Sequence, residues 1–184
     1  MTSSLLESFD GLLNRRFAQN FLPIPASNQL PLGSIAPNFA AFHVNLAQSV
    51  QLFDYLGQPL LLAFTRIFSE KHYCPFCFPH LLELNATYEQ FRQRGIEVLL
   101  VSSTDPAQSQ IVLADLGLNM PLLSDPSCNS FRLYQTGQAL GAPLPAQFLL
   151  DASGKIRFRH CFSFIEPNAS IERLLAASGW LHSS

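Results

Sequence analysis

A chain of 184 residues that is 48% hydrophobic and 13% charged can build one domain with a real core and is too apolar to be disordered. Its formal net charge of −2 supplies no attraction for nucleic acid or an anionic membrane surface, and no apolar run approaches the roughly 18 residues needed to cross a bilayer. The opening Met1-Thr2-Ser3-Ser4-Leu5-Leu6-Glu7 has neither a basic nor a continuous apolar stretch, so no signal peptide and a reducing, cytoplasmic setting are expected.

Leu5, Leu6, Phe9, Leu12, Leu13 and Phe17 recur at helical spacing after Ser3 and Ser4 and predict an amphipathic helix. Prolines 23, 25 and 31 then forbid its continuation, so residues 1–32 read as a helical extension with a Pro-rich linker and 33–184 as the main domain. Phe39 to Leu46 and Leu60 to Thr65 read as strands, the second apolar enough to be buried on both faces. Cys74 to Arg94 reads as a helix offering Phe78, Leu81, Leu82, Leu84, Tyr88 and Phe91 to a core and ending at Gly95. Ile96 to Ser102 is a further buried strand. Asp105-Pro106 opens a helix with Ile111, Leu113 and Leu116 available for packing, and Asp125-Pro126-Ser127 opens a short helical stretch toward Tyr134.

After a Gly- and Pro-rich loop at 137–145, Gln147 to Leu150 and Lys155 to Phe164 flank the turn 151–154 as a β-hairpin. A last helix is predicted from about Asn168 to Ala177. Strand–helix–strand alternation followed by a hairpin and a helix predicts an α/β domain with a mixed central sheet flanked by helices.

Cys74-Pro75-Phe76-Cys77 stands where an apolar strand gives way to a long helix. Free N–H groups and the positive end of the helix dipole favour a thiolate at that place, and Pro75 suits a first turn because it needs no N–H partner. The three-residue spacing puts both sulfurs on one face within reach of a disulfide, and Lys71 and His72 offer positive potential nearby. The bland alternative is two core cysteines. A metal alternative uses Cys74-x2-Cys77-x2-His80 with a fourth ligand from Cys128, Cys161 or His160. Cys128 and Cys161 are small buried hydrophobes or additional redox partners. No Gly-rich phosphate loop, flavin or nicotinamide motif is present, so neither cofactor nor metal is assigned.

The order Leu60 to Phe64, Cys74-Pro75-Phe76-Cys77, Val98 to Ser102, Leu123-Ser124-Asp125-Pro126 and Leu144-Pro145-Ala146-Gln147-Phe148-Leu149-Leu150-Asp151 resembles the peroxiredoxin-like branch of the thioredoxin superfamily, the group of alkyl hydroperoxide reductase and thiol-specific antioxidant. Gly33-Ser34-Ile35-Ala36-Pro37-Asn38-Phe39 resembles that family's usual start, and the resemblance runs from residue 33 to about 178. It implies a thioredoxin-like fold in which Cys74 attacks, Cys77 resolves, and Pro145 faces them across a cis Leu144–Pro145 bond. It further implies a peroxide or disulfide substrate, a thioredoxin- or glutathione-type thiol donor, and association, in the simplest case as a homodimer. The chain departs from the Pro-x-x-x-Thr-x-x-Cys pattern of typical peroxiredoxins, carrying Ile67 and Lys71 at the proline and threonine positions. The later arginine of that pattern is replaced around Pro145, leaving Arg66, Ser69 and Lys71 as substitutes. The segment Arg66 to Tyr73 is also longer than in Cys-Pro-Tyr-Cys relatives. A non-catalytic redox sensor, signalling through the N-terminal extension, is the competing reading.

Overall fold

Residues 14–27 and 29–179 are described by the computed structural model. Asn14 accepts a hydrogen bond from the Phe17 N–H and so caps a short helix, Arg15–Gln19 (α1). The remainder of the predicted Leu5–Phe17 helix lies outside the described residues.

The main domain opens on an antiparallel pair, Ala40–His43 (β1) and Gln48–Gln51 (β2), followed by a 3-10 turn at Leu52–Tyr55. The single strand predicted over 39–46 is therefore the first arm of a hairpin, because Ala47 adopts a positive φ of 53° and turns the chain back. Leu60–Phe64 (β3) is buried throughout, as its continuous apolar run requires. The lengthened segment after it folds into a small hairpin, Ile67–Ser69 (β4) with His72–Tyr73 (β5). The long helix follows as Phe78–Gln93 (α2), then Glu97–Ser102 (β6) and the helix Pro106–Asp115 (α3). Asp105 caps α3 by accepting from the Gln108 N–H at 2.8 Å while the Gln108 side chain reaches back to the Asp105 N–H.

Leu122–Ser124 (β7) and Asn129–Leu133 (α4) lead into a second small hairpin, Gln138–Ala139 (β8) with Ala142–Pro143 (β9), where only a loop was expected. The predicted hairpin is Ala146–Leu150 (β10) with Ile156–Cys161 (β11), and the chain's last described helix is Ile171–Ser178 (α5). One mixed sheet of seven strands runs β11-β10-β3-β6-β7-β1-β2. Its centre, β3, β6 and β7, is parallel, and antiparallel strands close both sides.

Side chains on successive strand residues point to opposite faces, and two cores follow from that. Leu61, Ala63, Val98, Leu100 and Leu149 meet Leu81, Leu84, Tyr88 and Phe91 of α2, Val112 of α3, and Ile171 and Leu174 of α5. On the opposite face Leu60, Leu62, Phe64, Leu99, Val101, Phe148 and Leu150 pack with Phe39, Phe131 and Tyr134. Ile111 does not join the core as expected. The turn of α3 that faces the sheet is set by Ser109 and Val112, three residues apart, and Ile111 points to solvent.

Within residues 14–27 the chain lies against the domain. Ile24 exchanges backbone hydrogen bonds with Gln138, each of 2.8 Å, and Ser27 N–H donates to the Gln135 carbonyl. Gly137 permits this closeness: with φ +78°, a Cβ there would fall 2.5 Å from the Ala26 nitrogen.

Phe64 is the hub of the second core, with ring centroids of Phe39, Phe131, Tyr134 and Phe148 at 5.0 to 6.3 Å. Truncating such a ring removes its burial and leaves a cavity. Phe64→Ala is expected to destabilise the fold by about 3–5 kcal/mol, read from urea unfolding followed by far-UV circular dichroism.

Candidate active site

The chain leaves β3 at Phe64, passes Thr65 and Arg66, and is carried by the β4–β5 hairpin to Cys74. The Cys74 carbonyl accepts from the N–H groups of Cys77 (3.0 Å) and Phe78 (2.9 Å), so the motif forms a helical turn leading into α2. Regular helix begins at Phe78, four residues later than Cys74, and Pro79 occupies its first turn. The expected placement of Cys74 at a helix start therefore holds in substance, one turn ahead of the regular helix.

Both sulfurs are thiols and both residues are buried, Cys74 only 4% exposed. The Cys77 thiol hydrogen-bonds the Cys74 sulfur, and this lowers the Cys74 pKa to about 6 from an ordinary 9.0. Burial opposes the shift, while the N–H groups of Phe76 and Cys77 and the Arg66 charge support it. The same hydrogen bond acts in reverse on the donor: giving its proton to Cys74, together with burial, pushes the Cys77 pKa strongly up. The thiolate form is thus favoured at Cys74 and disfavoured at Cys77.

Arg66 is the cation that helps to lower the Cys74 pKa. Its guanidinium donates to the Ala139 carbonyl and lies 4.7 Å from the centre of the Phe68 ring. Its buried Nε has no hydrogen-bond partner among the described residues. Lys71 sits in the turn of the β4–β5 hairpin, and His72 shares a 2.8 Å hydrogen bond with Ser69. The lengthened segment thus displaces the position of the family threonine into a hairpin turn.

Sequence reasoning missed the polar contacts on the other side of the motif. Asn168 Nδ2 donates to the Phe76 carbonyl at 3.1 Å and its side chain also hydrogen-bonds Cys77. Gln147 Nε2 donates to Asn168 Oδ1 at 2.9 Å, and Gln147 Oε1 accepts from the Ala169 N–H at 2.9 Å. The available signal was a glutamine inside an otherwise apolar run at 146–150, since a buried amide must have partners.

Pro145 is buried immediately ahead of β10, whose Ala146 registers with Phe64, and so lies at the sheet end from which the Arg66 segment departs. The expected cis bond is corrected: there is no cis peptide among the described residues, and Leu144–Pro145 is trans. The chain reaches β10 in the ordinary isomer, which an X–Pro bond prefers by about 0.5–1 kcal/mol, with the Leu144 N–H held by the Gly137 carbonyl at 3.0 Å.

The residues offered as a zinc set are dispersed. His80 donates from Nε2 to the Ala169 carbonyl at 3.0 Å, and burial lowers its pKa to about 4, so it is neutral at pH 7. His160 bonds the Glu166 carbonyl, Cys128 accepts from Asn20 at 3.6 Å, and the Cys161 sulfur faces the Ser27 carbonyl. Among the described residues no three His, Cys, Asp or Glu side chains gather closely enough to hold a metal ion. Nor is any helix among them long and apolar enough to cross a membrane.

A mixed sheet flanked by helices, with Cys-x-x-Cys at the head of its first long helix, defines a thioredoxin-fold protein of the peroxiredoxin-like class. The chain belongs to the AhpC/TSA family, whose sequence profile matches residues 32–159. It is 28% identical over 127 residues to the thiol-disulfide oxidoreductase ResA of Geobacillus kaustophilus, covering 68% of this chain and 67% of that one. Over 136 residues it is 29% identical to the peroxiredoxin Bcp of Escherichia coli K12, covering 70% and 84% respectively. The reduced 2-Cys peroxiredoxin of Plasmodium vivax shares the fold, with TM-score 0.71, 20% identity and coverage of 83% and 82%. The family and these relatives make the chain a thiol-based oxidoreductase.

Because the Cys77 thiol is the largest cause of the lowered Cys74 pKa, alkylation of reduced protein by iodoacetamide should rise with pH to a midpoint near 6 at Cys74. Cys77→Ala should move that midpoint upward by more than Arg66→Met does, read by mass spectrometry of quenched samples. A larger effect from Arg66 would reverse the ranking.

Proposed function

We propose that the chain is a dithiol oxidoreductase in which Cys74 attacks a disulfide or a peroxide and Cys77 completes the turnover. The observation that carries this reading is two free, buried thiols on one helical turn, with the Cys74 pKa lowered to about 6 and that of Cys77 raised. With a disulfide, the Cys74 thiolate forms a mixed disulfide and expels one thiolate, and Cys77 then expels the other. With a peroxide, Cys74 takes one oxygen as sulfenic acid and releases an alcohol or water, and Cys77 displaces water from that sulfur. Either route leaves Cys74–Cys77 as a disulfide. Two equivalents of a thioredoxin- or glutathione-type thiol, as found in a reducing cytoplasm, restore it.

Different features support the two substrate classes. Phe76 is 65% exposed beside the sulfurs, an apolar contact for a protein disulfide. Cys74 itself is nearly covered, which suits a small peroxide. Residues 1–32 are proposed as an extension of the domain at 33–184, and Pro145 as the wall of the site on the β10 side.

Reduced protein, mixed with hydrogen peroxide or with a protein disulfide and quenched rapidly, is expected to accumulate a Cys74–Cys77 disulfide that mass spectrometry locates. Cys74→Ser should abolish formation with both oxidants, and Cys77→Ser should stop at the sulfenate or mixed disulfide. Turnover surviving in Cys74→Ser would overturn the assignment. Selective reaction with one oxidant would settle the substrate class.

A further inference from the structure

Arg16 is the buried residue of α1, only 8% exposed, and its hydrogen bonds all go to neutral groups. One terminal nitrogen donates to the Ser103 hydroxyl at 3.0 Å and to the Ile67 carbonyl at 3.4 Å, and the other donates to the Phe68 carbonyl. Among the described residues no carboxylate lies within ion-pairing distance of it. A buried guanidinium without a counter-charge is costly, so the place favours an anion.

Two donors there are also unused. The buried Arg16 Nε has no hydrogen-bond partner among the described residues. Ser103 is fully buried and accepts from Arg16, so its own hydroxyl proton is left without an acceptor among them.

Both residues line one cavity of about 770 Å³, a size that suits a small molecule. Arg15 of α1 and Arg132 of α4 line it too, both exposed and neither in an ion pair among the described residues. Asp105 is the one carboxylate in the lining, and its Oδ1 is occupied by the cap of α3. Neither Cys74 nor Cys77 reaches this cavity, so it is separate from the dithiol site.

We propose that the cavity is a binding site for a small phosphate monoester, whose phosphoryl oxygens accept from Arg15, Arg16, Ser103 and Arg132. Guanidinium forks match phosphate and carboxylate alike. The donors, however, arrive from three stretches of chain: α1, the residue after β6, and α4. That arrangement favours a tetrahedral group with three diverging oxygens over a planar carboxylate with two. The monoester's charge of about −1.5 to −2 also answers the excess of three guanidiniums over one carboxylate. Arg16 holds the Ile67 and Phe68 carbonyls as well, so the ligand and the β4–β5 hairpin that leads to Cys74 share one guanidinium.

Isothermal titration calorimetry on the full-length reduced chain tests this, at ionic strength held constant with chloride. Glycerol 3-phosphate is the probe, and succinate is a carboxylate dianion of comparable charge. Glycerol 3-phosphate is expected to saturate one site with Kd below ~1 mM. Succinate should bind at least about tenfold more weakly, as for lost hydrogen bonds between charged groups. The double variant Arg15→Gln/Arg132→Gln, changed only at exposed positions, should weaken the phosphate by about tenfold. Ser103→Ala should weaken it by about tenfold or more, because a donor to a charged group is gone.

No saturable binding by the wild-type chain would overturn the proposal, as would unchanged affinity in the double variant. Succinate binding as tightly as glycerol 3-phosphate would overturn the phosphate assignment. A double variant weakened beside an unaffected Ser103→Ala would mark a diffuse basic surface and overturn the built site. Should Ser103→Ala lose the native circular dichroism spectrum, salt makes the same distinction. Raising chloride from about 0.1 to 1 M shortens the screening length from ~10 to ~3 Å. A site built on buried donors keeps its ligand under that change, and loss of binding would overturn it.

Discussion

The hydrogen bond from the Cys77 thiol to the Cys74 sulfur makes two chemically identical residues unlike each other. Burial alone would raise both pKa values and leave two inert thiols. Their proximity within the turn at 74–77 splits them, lowering the pKa of Cys74 and raising that of Cys77. Within that turn the Phe76 and Cys77 N–H groups also face the Cys74 sulfur, so the backbone reinforces the asymmetry that the side chains create. Arg66 adds a full charge, but its guanidinium is already engaged by the Ala139 carbonyl and the Phe68 ring. It contributes as a fixed background field and ranks below the direct hydrogen bonds.

That turn is held in place by elements on both sides of the sheet. The parallel pair of β3 and β6 fixes where the chain emerges before the cysteines. The β4–β5 hairpin is itself tethered, because the Arg16 side chain of α1 donates to the carbonyls of Ile67 and Phe68 and to Ser103 Oγ at 3.0 Å. On the far side, α5 packs against α2 and delivers the Asn168-Ala169 segment to the motif. The site is therefore assembled from four separate stretches of chain whose common support is the central sheet.

Much of this was legible in the sequence because local rules carried it. The apolar run at 60–64, the Asp105-Pro106 cap and the 151–154 turn each specify their element with little help from the rest of the fold. The Cys74-Pro75-Phe76-Cys77 spacing likewise specified that both sulfurs share one turn. The small hairpins at 67–73 and 138–143 were not legible, since two- and three-residue strands carry no periodicity. Gln147, Asn168 and Arg66 depend on contacts across 21 residues and more, which no local pattern encodes. The cis expectation at Pro145 came from resemblance alone, and the backbone takes the trans isomer.

The arrangement also implies a division of labour over a catalytic cycle. In the proposed cycle the Cys77 thiol that favours the Cys74 thiolate must itself lose its proton before the second step. A site that only stabilised the Cys74 thiolate would stall at the mixed disulfide or sulfenate, because the better Cys77 holds its proton, the worse it resolves. The Asn168 amide, on the Phe76 carbonyl at 3.1 Å, ties down the turn that carries both sulfurs. The buried glutamine in a hydrophobic strand then has a physical reason. It fixes the orientation of the Asn168 amide, which holds the Phe76 carbonyl between the two cysteines.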